Sequence, residues 1–173
     1  MPIVYLWLGS NLGERKENIT KAIELLLAQD MTLKTVAPLY VSRALGFDGE
    51  EFYNTVVCVE TDMDGYDLID AIDQIEKTMG RKEYPPQPKN EEKIYHDRII
   101  DIDVLLYDDS IFSNSTVTIP HRSISERDFV LRPLLDIDAD LIDPMSDQPF
   151  SQALKELEEE NKAVLDVIHD WYD

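Results

Sequence analysis

The sequence contains little cysteine, little positive charge and no long apolar run. Cys58 is the single cysteine among 173 residues, which excludes a disulfide framework and favours a reducing compartment. No segment approaches ~18 uninterrupted apolar residues, and no basic stretch precedes the short apolar run near the N-terminus. These absences predict a soluble, cytoplasmic protein that does not bind membranes.

Basic residues are strongly outnumbered, with 16 Lys and Arg against 36 Asp and Glu and a formal net charge of −20. A surface this negative repels DNA and RNA, so no nucleic-acid partner is expected. A phosphate-bearing ligand would need local arginines or metal ions to offset the repulsion. The length predicts one domain over residues 1–173, with a core at about 2–145 and a C-terminal helix and tail at 151–173. We expect a monomer.

The hydrophobic pattern alternates between strand and helix periods along the chain. The predicted elements are a strand at 2–9, a helix at about 14–29, strands at 32–42 and 52–61, a helix at 65–79, a strand at 98–107 and a charged helix at 151–163, followed by a short apolar tail. The first strand is apolar on both faces and is expected at the centre of the sheet. Its faces carry Val4, Leu6 and Leu8 on one side and Ile3, Tyr5 and Trp7 on the other. The order β-α-β-β-α-β predicts an α+β, ferredoxin-like sandwich, in which helices pack on a mainly antiparallel sheet.

Two aspartates interrupt the aliphatic strand RIIDIDVLLY at residues 98–107. One face of this strand is predicted to join the core and carries Ile100, Ile102, Val104 and Leu106. Asp101 and Asp103 share the other face, roughly 7 Å apart at ~3.4 Å per residue. Two carboxylates aimed the same way repel each other unless a cation lies between them. Mg²⁺, which usually brings phosphate oxygens as further ligands, fits this need. The alternative for this motif alone is an ordinary solvated sheet face.

Cationic residues flank this pair along the sequence. Arg98 precedes it, Arg81 begins the loop after the second predicted helix, and His121 and Arg127 follow within and after the TIPH segment. Each of these residues alone is explained by a surface or structural role. Together at strand ends they favour a site that binds a polyphosphate.

Six segments in a fixed order make the pattern recognisable: GSNLG, FYN, E-x-x-x-GR, DRIIDIDVLLY, TIPH and ERDFVLRPL. Together they resemble the 6-hydroxymethyl-7,8-dihydropterin pyrophosphokinases of folate biosynthesis over about residues 2–145. The resemblance implies an enzyme that transfers the β,γ-pyrophosphoryl group of ATP to the hydroxymethyl oxygen of the reduced pterin. The products would be the pterin diphosphate and AMP.

The resemblance also implies roles for individual residues. The implied catalytic residues are Arg81, Arg98, Asp101, Asp103, His121 and Arg127. Asp101 and Asp103 would hold two Mg²⁺ ions that bridge the ATP phosphates. Further ATP contacts are implied at Glu76, Tyr95, Val104 and Thr118. Pterin contacts are implied at Ser42, Leu45, Phe52, Asn54 and Phe129.

The physical chemistry of a pterin ring agrees with these assignments. Phe52 and Phe129 would stack on the two faces of the flat ring, each stacked pair contributing ~0.5–1.5 kcal/mol beyond burial. The amide of Asn54 carries a donor and an acceptor, which suits the ring edge. Ordinary core packing is the alternative for both phenylalanines, and a capping role is the alternative for Asn54.

The family closes mobile loops over ATP, and the corresponding segments here are long. They lie at residues 10–13, 43–51 and 81–97. The third departs from the family through an expanded PPQPKNEEK segment and through Tyr95, which stands where a tryptophan is common. We expect Tyr95 to take over stacking, and Lys82 and Lys93 are candidates to replace missing basic groups.

Two other functions fit part of the pattern. A ferredoxin-like module that binds a metabolite without catalysis would explain the predicted sheet but not the aspartates with their arginines. Another two-metal nucleotide-dependent transferase would explain Asp101 and Asp103. It would leave Phe52, Asn54 and Phe129 without a role.

Overall fold

Eight strands and four α-helices make up the part of the chain that the computed structural model describes, residues 1–45, 48–81, 97–115 and 117–172. In chain order they are β1 Ile3–Ser10, α1 Arg15–Leu27, β2 Met31–Val36, β3 Leu39–Ser42, β4 Phe52–Thr61, α2 Gly65–Thr78, β5 Asp101–Tyr107, β6 Phe112–Ser113, β7 Thr118–Ile119, α3 Asp128–Ile137, α4 Phe150–Glu156 and β8 Val164–Ile168. Two short 3₁₀ turns lie at Ile124–Glu126 and Glu159–Asn161. No helix among these residues is long and apolar enough to span a bilayer.

Six strands form one antiparallel sheet in the order β5-β1-β4-β3-β8, and β2 also pairs with β4. β6 and β7 form a separate two-stranded ribbon. Strand β1 lies between β4 and β5 and is buried over nearly all of its length. The prediction of a central first strand, apolar on both faces, is therefore confirmed.

The sheet separates two hydrophobic cores. The first core lies between the sheet and helices α1 and α2, and it contains Val4, Leu6 and Leu8. The second core lies on the α3 side and contains Tyr5 and Trp7. The predicted α+β sandwich is confirmed, and α3 and α4 add a helical layer on the face opposite α1 and α2.

Helix α2 shows how local sequence sets an element that positions the site. Asp64 caps its N-terminus, since the carboxylate accepts a hydrogen bond of 2.9 Å from the Asp67 amide. Gly80 ends the helix in the left-handed region at φ 89°. There the Gly80 amide bonds the Lys77 carbonyl and the Arg81 amide bonds the Glu76 carbonyl, each at 3.0 Å. This tight turn brings the Arg81 side chain back beside Glu76.

Strand predictions failed where proline or competing hydrogen bonds interrupt the ladder. The segment predicted as one strand at 32–42 forms β2 and β3, because Pro38 has no N–H to donate at the break. Strand β5 begins at Asp101 rather than at residue 98. The backbone N–H and C=O of Arg98 bond Asn11 instead of continuing the ladder.

The predicted face of Leu106 was wrong. The register between β1 and β5 shifts at Tyr5 and Leu6, which leaves Leu105 as an extra residue. Leu106 therefore pairs with Tyr5 and lies in the second core, whereas Ile102 lies in the first.

The C-terminal region also differs from its prediction. The helix predicted at 151–163 ends at Glu156, ahead of consecutive acidic residues whose like charges repel each other. The predicted apolar tail contains β8, which pairs with β3. Beyond it, Trp171 packs in the first core and donates a 2.8 Å hydrogen bond to the Ala37 carbonyl.

Candidate active site

The predicted metal and pterin residues meet on the α3 side of the sheet, at one end of its strands. Gly9 near the end of β1 pairs with Asn54 of β4 on one side and with Asp101 of β5 on the other. Two residues back, Trp7 pairs with Asp103. Side chains alternate along a strand, so Asp101 and Asp103 point to the side on which Trp7 joins the second core. Predicted pterin and phosphate residues are therefore neighbours across three strands.

Asn54 is fully buried and only half satisfied. Its Nδ2 donates to Ser42 Oγ at 2.8 Å. Its Oδ1 accepts no hydrogen bond from the described part of the chain, although the atom is buried. Ser42 in turn pairs with Phe52 across β3 and β4. A buried acceptor without a partner is costly, so this oxygen is suited to a donor on a bound ring edge.

Phe129 lies in the first turn of α3, 8% exposed, within the second core. Its ring packs against Trp7 with the centroids 6.0 Å apart and the planes at 57°. Arg127 Cζ lies 5.7 Å from the centroid of the same ring. Phe52 begins β4 and is half-buried, and Leu45 packs against the second core. Phe129 thus has a core-packing role whatever else it contacts.

Trp7 belongs to the candidate site, although its sequence position indicates only a face of β1. Its indole reaches Phe129. A large aromatic residue two positions before a glycine at a strand end was the available signal. The indole lies over Gly9, between the positions of Asn54 and Asp101.

Arg81 joins two carboxylates at the edge of the sheet. One of its terminal nitrogens donates to Glu76 and lies 3.1 Å from Asp101 Oδ1. Glu76 Oε2 also accepts the Ile102 backbone N–H at 3.0 Å, which satisfies a free amide of the edge strand β5. Burial, and then the charge of Asp101, raise the pKa of Glu76 to about 7, although Arg81 and the Ile102 amide oppose the shift.

Asp103 faces His121, with Oδ2 and Nε2 3.7 Å apart. Burial, and then the charges of Asp101 and Glu76, raise the pKa of Asp103 well above its ordinary value, against opposing arginines that include Arg127. The Asp103 side chain keeps 30% exposure, so a ligand can reach it. Excess negative charge here favours a bound cation.

A cavity of about 440 Å³ opens beside these charges. It is lined by Ile69, Ile72, Asp73, Glu76, Ile102, Asp103, Val104, Val117, Thr118, His121, Arg122 and Ser123. The cavity unites all the predicted ATP contacts except Tyr95 with two of the predicted catalytic residues. Its apolar side chains suit a flat ring, whereas its three carboxylates would repel a bare anion, so an anionic ligand would need a cation beside Asp103. Arg122 and Ser123 were not predicted, although they directly follow His121 in the sequence.

His121 is held in a defined orientation. Its Nδ1 accepts the Ser123 backbone N–H at 3.1 Å, and its own amide donates to the Leu105 carbonyl at 2.9 Å. With Nδ1 as the acceptor, Nε2 carries the proton in the neutral ring. The proton therefore points towards Asp103 and the cavity.

Asn11 connects the described ends of the three predicted loops. Its Oδ1 accepts the Arg98 amide at 2.6 Å, and its Nδ2 donates to Asp97 Oδ1 at 2.7 Å and to the Glu50 carbonyl at 3.2 Å. The backbone at Arg98 is therefore set by the first loop. Tyr95, Lys82 and Lys93 lie outside the described residues.

Within the described ranges, no group of three or more His, Cys, Asp and Glu side chains could hold a metal ion by itself. Asp101 and Asp103 supply two carboxylates next to a third, Glu76, that Arg81 offsets only in part. Mg²⁺ is commonly held by one or two carboxylates plus phosphate oxygens and water. The residues present fit that arrangement.

The sequence profile of the 7,8-dihydro-6-hydroxymethylpterin-pyrophosphokinase (HPPK) family matches residues 5–139. The chain belongs to the HPPK family. The resemblance drawn from its motifs is thereby confirmed. Among curated relatives, the 2-amino-4-hydroxy-6-hydroxymethyldihydropteridine pyrophosphokinase of Aquifex aeolicus is 36% identical over 162 residues, which cover 93% of each chain.

Some of the similar proteins are much longer than this chain. The folic acid synthesis protein fol1 of Schizosaccharomyces pombe is 37% identical over 158 residues, which are 90% of this chain but 20% of that protein. The solved structure of wild-type Plasmodium falciparum HPPK-DHPS with pteroate superposes with a TM-score of 0.69 at 14% identity. It covers 90% of this chain and 44% of that chain, and this likeness supports the fold.

Proposed function

We propose that this chain transfers pyrophosphate from ATP to 6-hydroxymethyl-7,8-dihydropterin at the site described above, as a step of folate biosynthesis. The products are the pterin diphosphate and AMP. Membership of the HPPK family supports this reaction, with ATP as the co-substrate. The observation that carries the site assignment is the position of Asn54 and Asp101 on either side of Gly9. The Asn54 amide suits a pterin edge, and the Asp101 carboxylate suits a metal ion that binds phosphate. Their positions would let a pterin and ATP bind next to each other.

The pterin would bind on the α3 side, where Asn54 Oδ1 accepts no hydrogen bond from the described residues. A ring N–H group of the pterin would donate to this Oδ1. The hydrogen bond from Asn54 Nδ2 to Ser42 keeps the amide, and with it Oδ1, in a fixed orientation. Phe129, braced by Trp7, and Phe52 at the start of β4 are the aromatic residues available for stacking. Leu45 adds apolar contact.

ATP would occupy the cavity beside β5. Its base suits the apolar walls, which include Val104 next to Thr118. Its phosphates would extend towards Asp103 and His121, with Arg81, Arg98 and Arg127 as cationic partners. In a protein of net charge −20, these local cations are what lets a polyanion approach.

Asp101 and Asp103 would hold two Mg²⁺ ions, which when bound offset the phosphate charge. Arg81 holds Asp101 in place at 3.1 Å and keeps Glu76 turned towards the amide of Ile102. The carboxylates are therefore oriented before any ligand arrives.

Catalysis would rest on positioning and charge neutralisation. The hydroxymethyl oxygen would attack the β-phosphorus in line and release its O–H proton to solvent, while the bond between the β-phosphorus and the departing AMP oxygen breaks. His121 donates from Nε2 to a phosphate oxygen rather than acting as a base, because Nδ1 already accepts the Ser123 amide. Arg98 and Arg127 stabilise charge that develops during the transfer.

Residues 1–173 would form one domain, because strands as far apart in the chain as β1 and β8 share one sheet, and this domain would act as a monomer. The net charge of −20 supports the absence of a nucleic-acid partner. The single, buried Cys58 supports a reducing, cytoplasmic location.

The test is pterin-dependent formation of AMP by purified protein with ATP and Mg²⁺. Asp101→Ala and Asp103→Ala should each lower the rate by about 10²-fold or more with unchanged circular dichroism. Asp109→Ala, an exposed carboxylate just beyond β5, is the matched control and should leave the rate unchanged. ADP or inorganic phosphate as products would indicate another nucleotide-dependent enzyme, and no turnover would indicate a binding module.

A further inference from the structure

Asp128 is a buried carboxylate between two proposed site residues, Arg127 and Phe129. It is 4% exposed at the first residue of α3. Both of its oxygens accept backbone amides from a distant segment: Oδ1 from Ala163 at 2.8 Å and Oδ2 from Val164 at 3.1 Å. No step of the proposed reaction uses this carboxylate. Its bonds hold the start of α3 to the start of β8.

Ala163 and Val164 also contact the end of β3. Val164 pairs with Ser42 at the end of β3. The Ala163 carbonyl accepts the amide of Arg43 at 3.0 Å. Ser42 in turn receives the hydrogen bond from Asn54. Residues 163–164 therefore bridge the strand end that carries Ser42 and the helix start that carries Phe129.

The bridge is reinforced from the β3 side. A terminal guanidinium nitrogen of Arg43 donates to the carbonyls of Glu160 and Lys162, both at 3.0 Å. The segment that precedes Ala163 is thereby bonded to Arg43, which directly follows Ser42. Asp128 is the side chain through which α3 joins this arrangement.

We propose that Asp128 is a positioning residue for the pterin subsite. By holding residues 163–164, it sets the start of α3, and with it the ring of Phe129, at a defined distance from Ser42 and Asn54. This inference rests on the proposed function and deepens it. It assigns the C-terminal strand β8 a part in shaping the pterin subsite, with no direct contact to the ligand. Small displacements of substrate-positioning groups have large effects on binding and rate.

The experiment compares binding of the two substrates in Asp128→Ala. Calorimetry would measure the Kd of a non-hydrolysable ATP analogue with Mg²⁺, and then the Kd of the pterin in its presence. We expect the pterin Kd to rise on the order of tenfold or more and the Kd of the ATP analogue to change less than about twofold. The amides of residues 163 and 164 should exchange hydrogen faster.

Asp128→Asn is the second variant, and Asp166→Asn is the control. The side-chain oxygen that Asp128→Asn retains can still accept one of the two amides, so an intermediate rise of the pterin Kd is expected. Asp166→Asn removes the same charge from β8, but Asp166 is exposed and its Oδ1 accepts the amide of the neighbouring Val167 rather than that of a distant segment. This control should leave both constants unchanged.

The outcomes separate this inference from the proposed function. If the unsubstituted protein binds no pterin and forms no AMP, both fall. If it is active but the Asp128 variants weaken both ligands equally or neither, the inference alone is overturned. Failure of both variants to fold would assign Asp128 to overall stability and would likewise overturn it.

Discussion

The indole of Trp7 covers Gly9 so closely that no side chain fits at position 9. A β-carbon built on Gly9 would lie 2.3 Å from Trp7 Cη2 and 2.8 Å from its Cζ2. Gly9 pairs with Asn54 and with Asp101, so the indole lies between the proposed pterin and metal residues. The Trp7 ring thus occupies the space that a side chain at position 9 would need.

Gly9→Ala should therefore disturb both stability and pterin binding. The added methyl group displaces the Trp7 ring from its contact with Phe129, and overpacking of this kind costs about 1–3 kcal/mol of unfolding free energy. Urea unfolding and the pterin Kd are the measurements. Gly65→Ala is the control, because a β-carbon there meets nothing within 4 Å. Wild-type values for Gly9→Ala would contradict the close packing.

Asn54→Ala should weaken pterin binding far more than ATP binding. The variant removes the Nδ2 bonded to Ser42 and the buried Oδ1, which has no donor among residues 1–45, 48–81, 97–115 and 117–172. The proposed ATP cavity is lined by other residues. Loss of such polar contacts corresponds to about 1–3 kcal/mol, or roughly 5- to 150-fold in Kd. Calorimetry with each ligand checks it, with the exposed Asn161→Ala as the control. Equal weakening of both ligands would refute the assignment of Asn54.

Glu76 should make the ligand-free protein less stable as the pH rises through neutrality. Its pKa is raised from 4.5 to about 7 in the folded protein, so the folded state retains a proton that the unfolded chain releases. The stabilising contribution is complete below pH ~4.5 and is lost by about pH 7, a change on the order of 2–3 kcal/mol.

Urea unfolding at pH 5 and pH 8, with EDTA present, measures this effect. Glu76→Gln should show a smaller decrease in unfolding free energy between the two pH values than the unsubstituted protein. Glu17→Gln, at an exposed position of α1, should retain the full decrease. Identical pH dependence in Glu76→Gln and the unsubstituted protein would show that the carboxyl titrates alike in both states.

Tyr40 anchors β3 to α3 through a hydrogen bond from its hydroxyl to Asp136. Burial, and then this carboxylate, raise the pKa of Tyr40 above its ordinary value, so the contribution is present at neutral pH and lost as the pH rises above ~10. Tyr40→Phe should lower the unfolding free energy by about 1–3 kcal/mol at pH 7. Between pH 7 and alkaline pH, the unfolding free energy of this variant should decrease less than that of the unsubstituted protein.

Tyr66→Phe is the matched control for Tyr40, since Tyr66 is 60% exposed. Thermal unfolding at pH 7 and pH 10.5 would compare the three proteins. A Tyr40→Phe variant as stable as the unsubstituted protein at pH 7 would show that the bond to Asp136 contributes nothing net.

Short-range patterns predicted the elements whose cause is local. Alternation along β1 sorted Val4 and Trp7 to opposite faces, and helical spacing with Gly80 predicted α2 and its end. The paired aspartates and their flanking arginines identified the charged half of the candidate site. Such patterns are readable because period two and period 3.6 follow from backbone geometry alone.

Helix α3 and strand β8 could not be read in the same way. Pro133 inside α3 obscures its helical pattern, because proline disfavours a helix interior, and the helix is stabilised by burial against the sheet. Strand β8 forms because it pairs with β3, and because Asp128 accepts the amide of Ala163 just before it. Both partners are far away in sequence. The bulge that moves Leu106 to the second core likewise arises from the register with β1.

The amino-acid sequence alone determined which chemical groups this protein carries and the family to which it belongs. Only the tertiary structure decided which groups are neighbours: Trp7 over Gly9, Arg81 between Glu76 and Asp101, and Asp128 on residues 163–164. The physical reason is that hydrogen bonds and packing contacts between distant segments depend on sheet register and helix docking. Both are set by burial over the whole chain rather than by any local window.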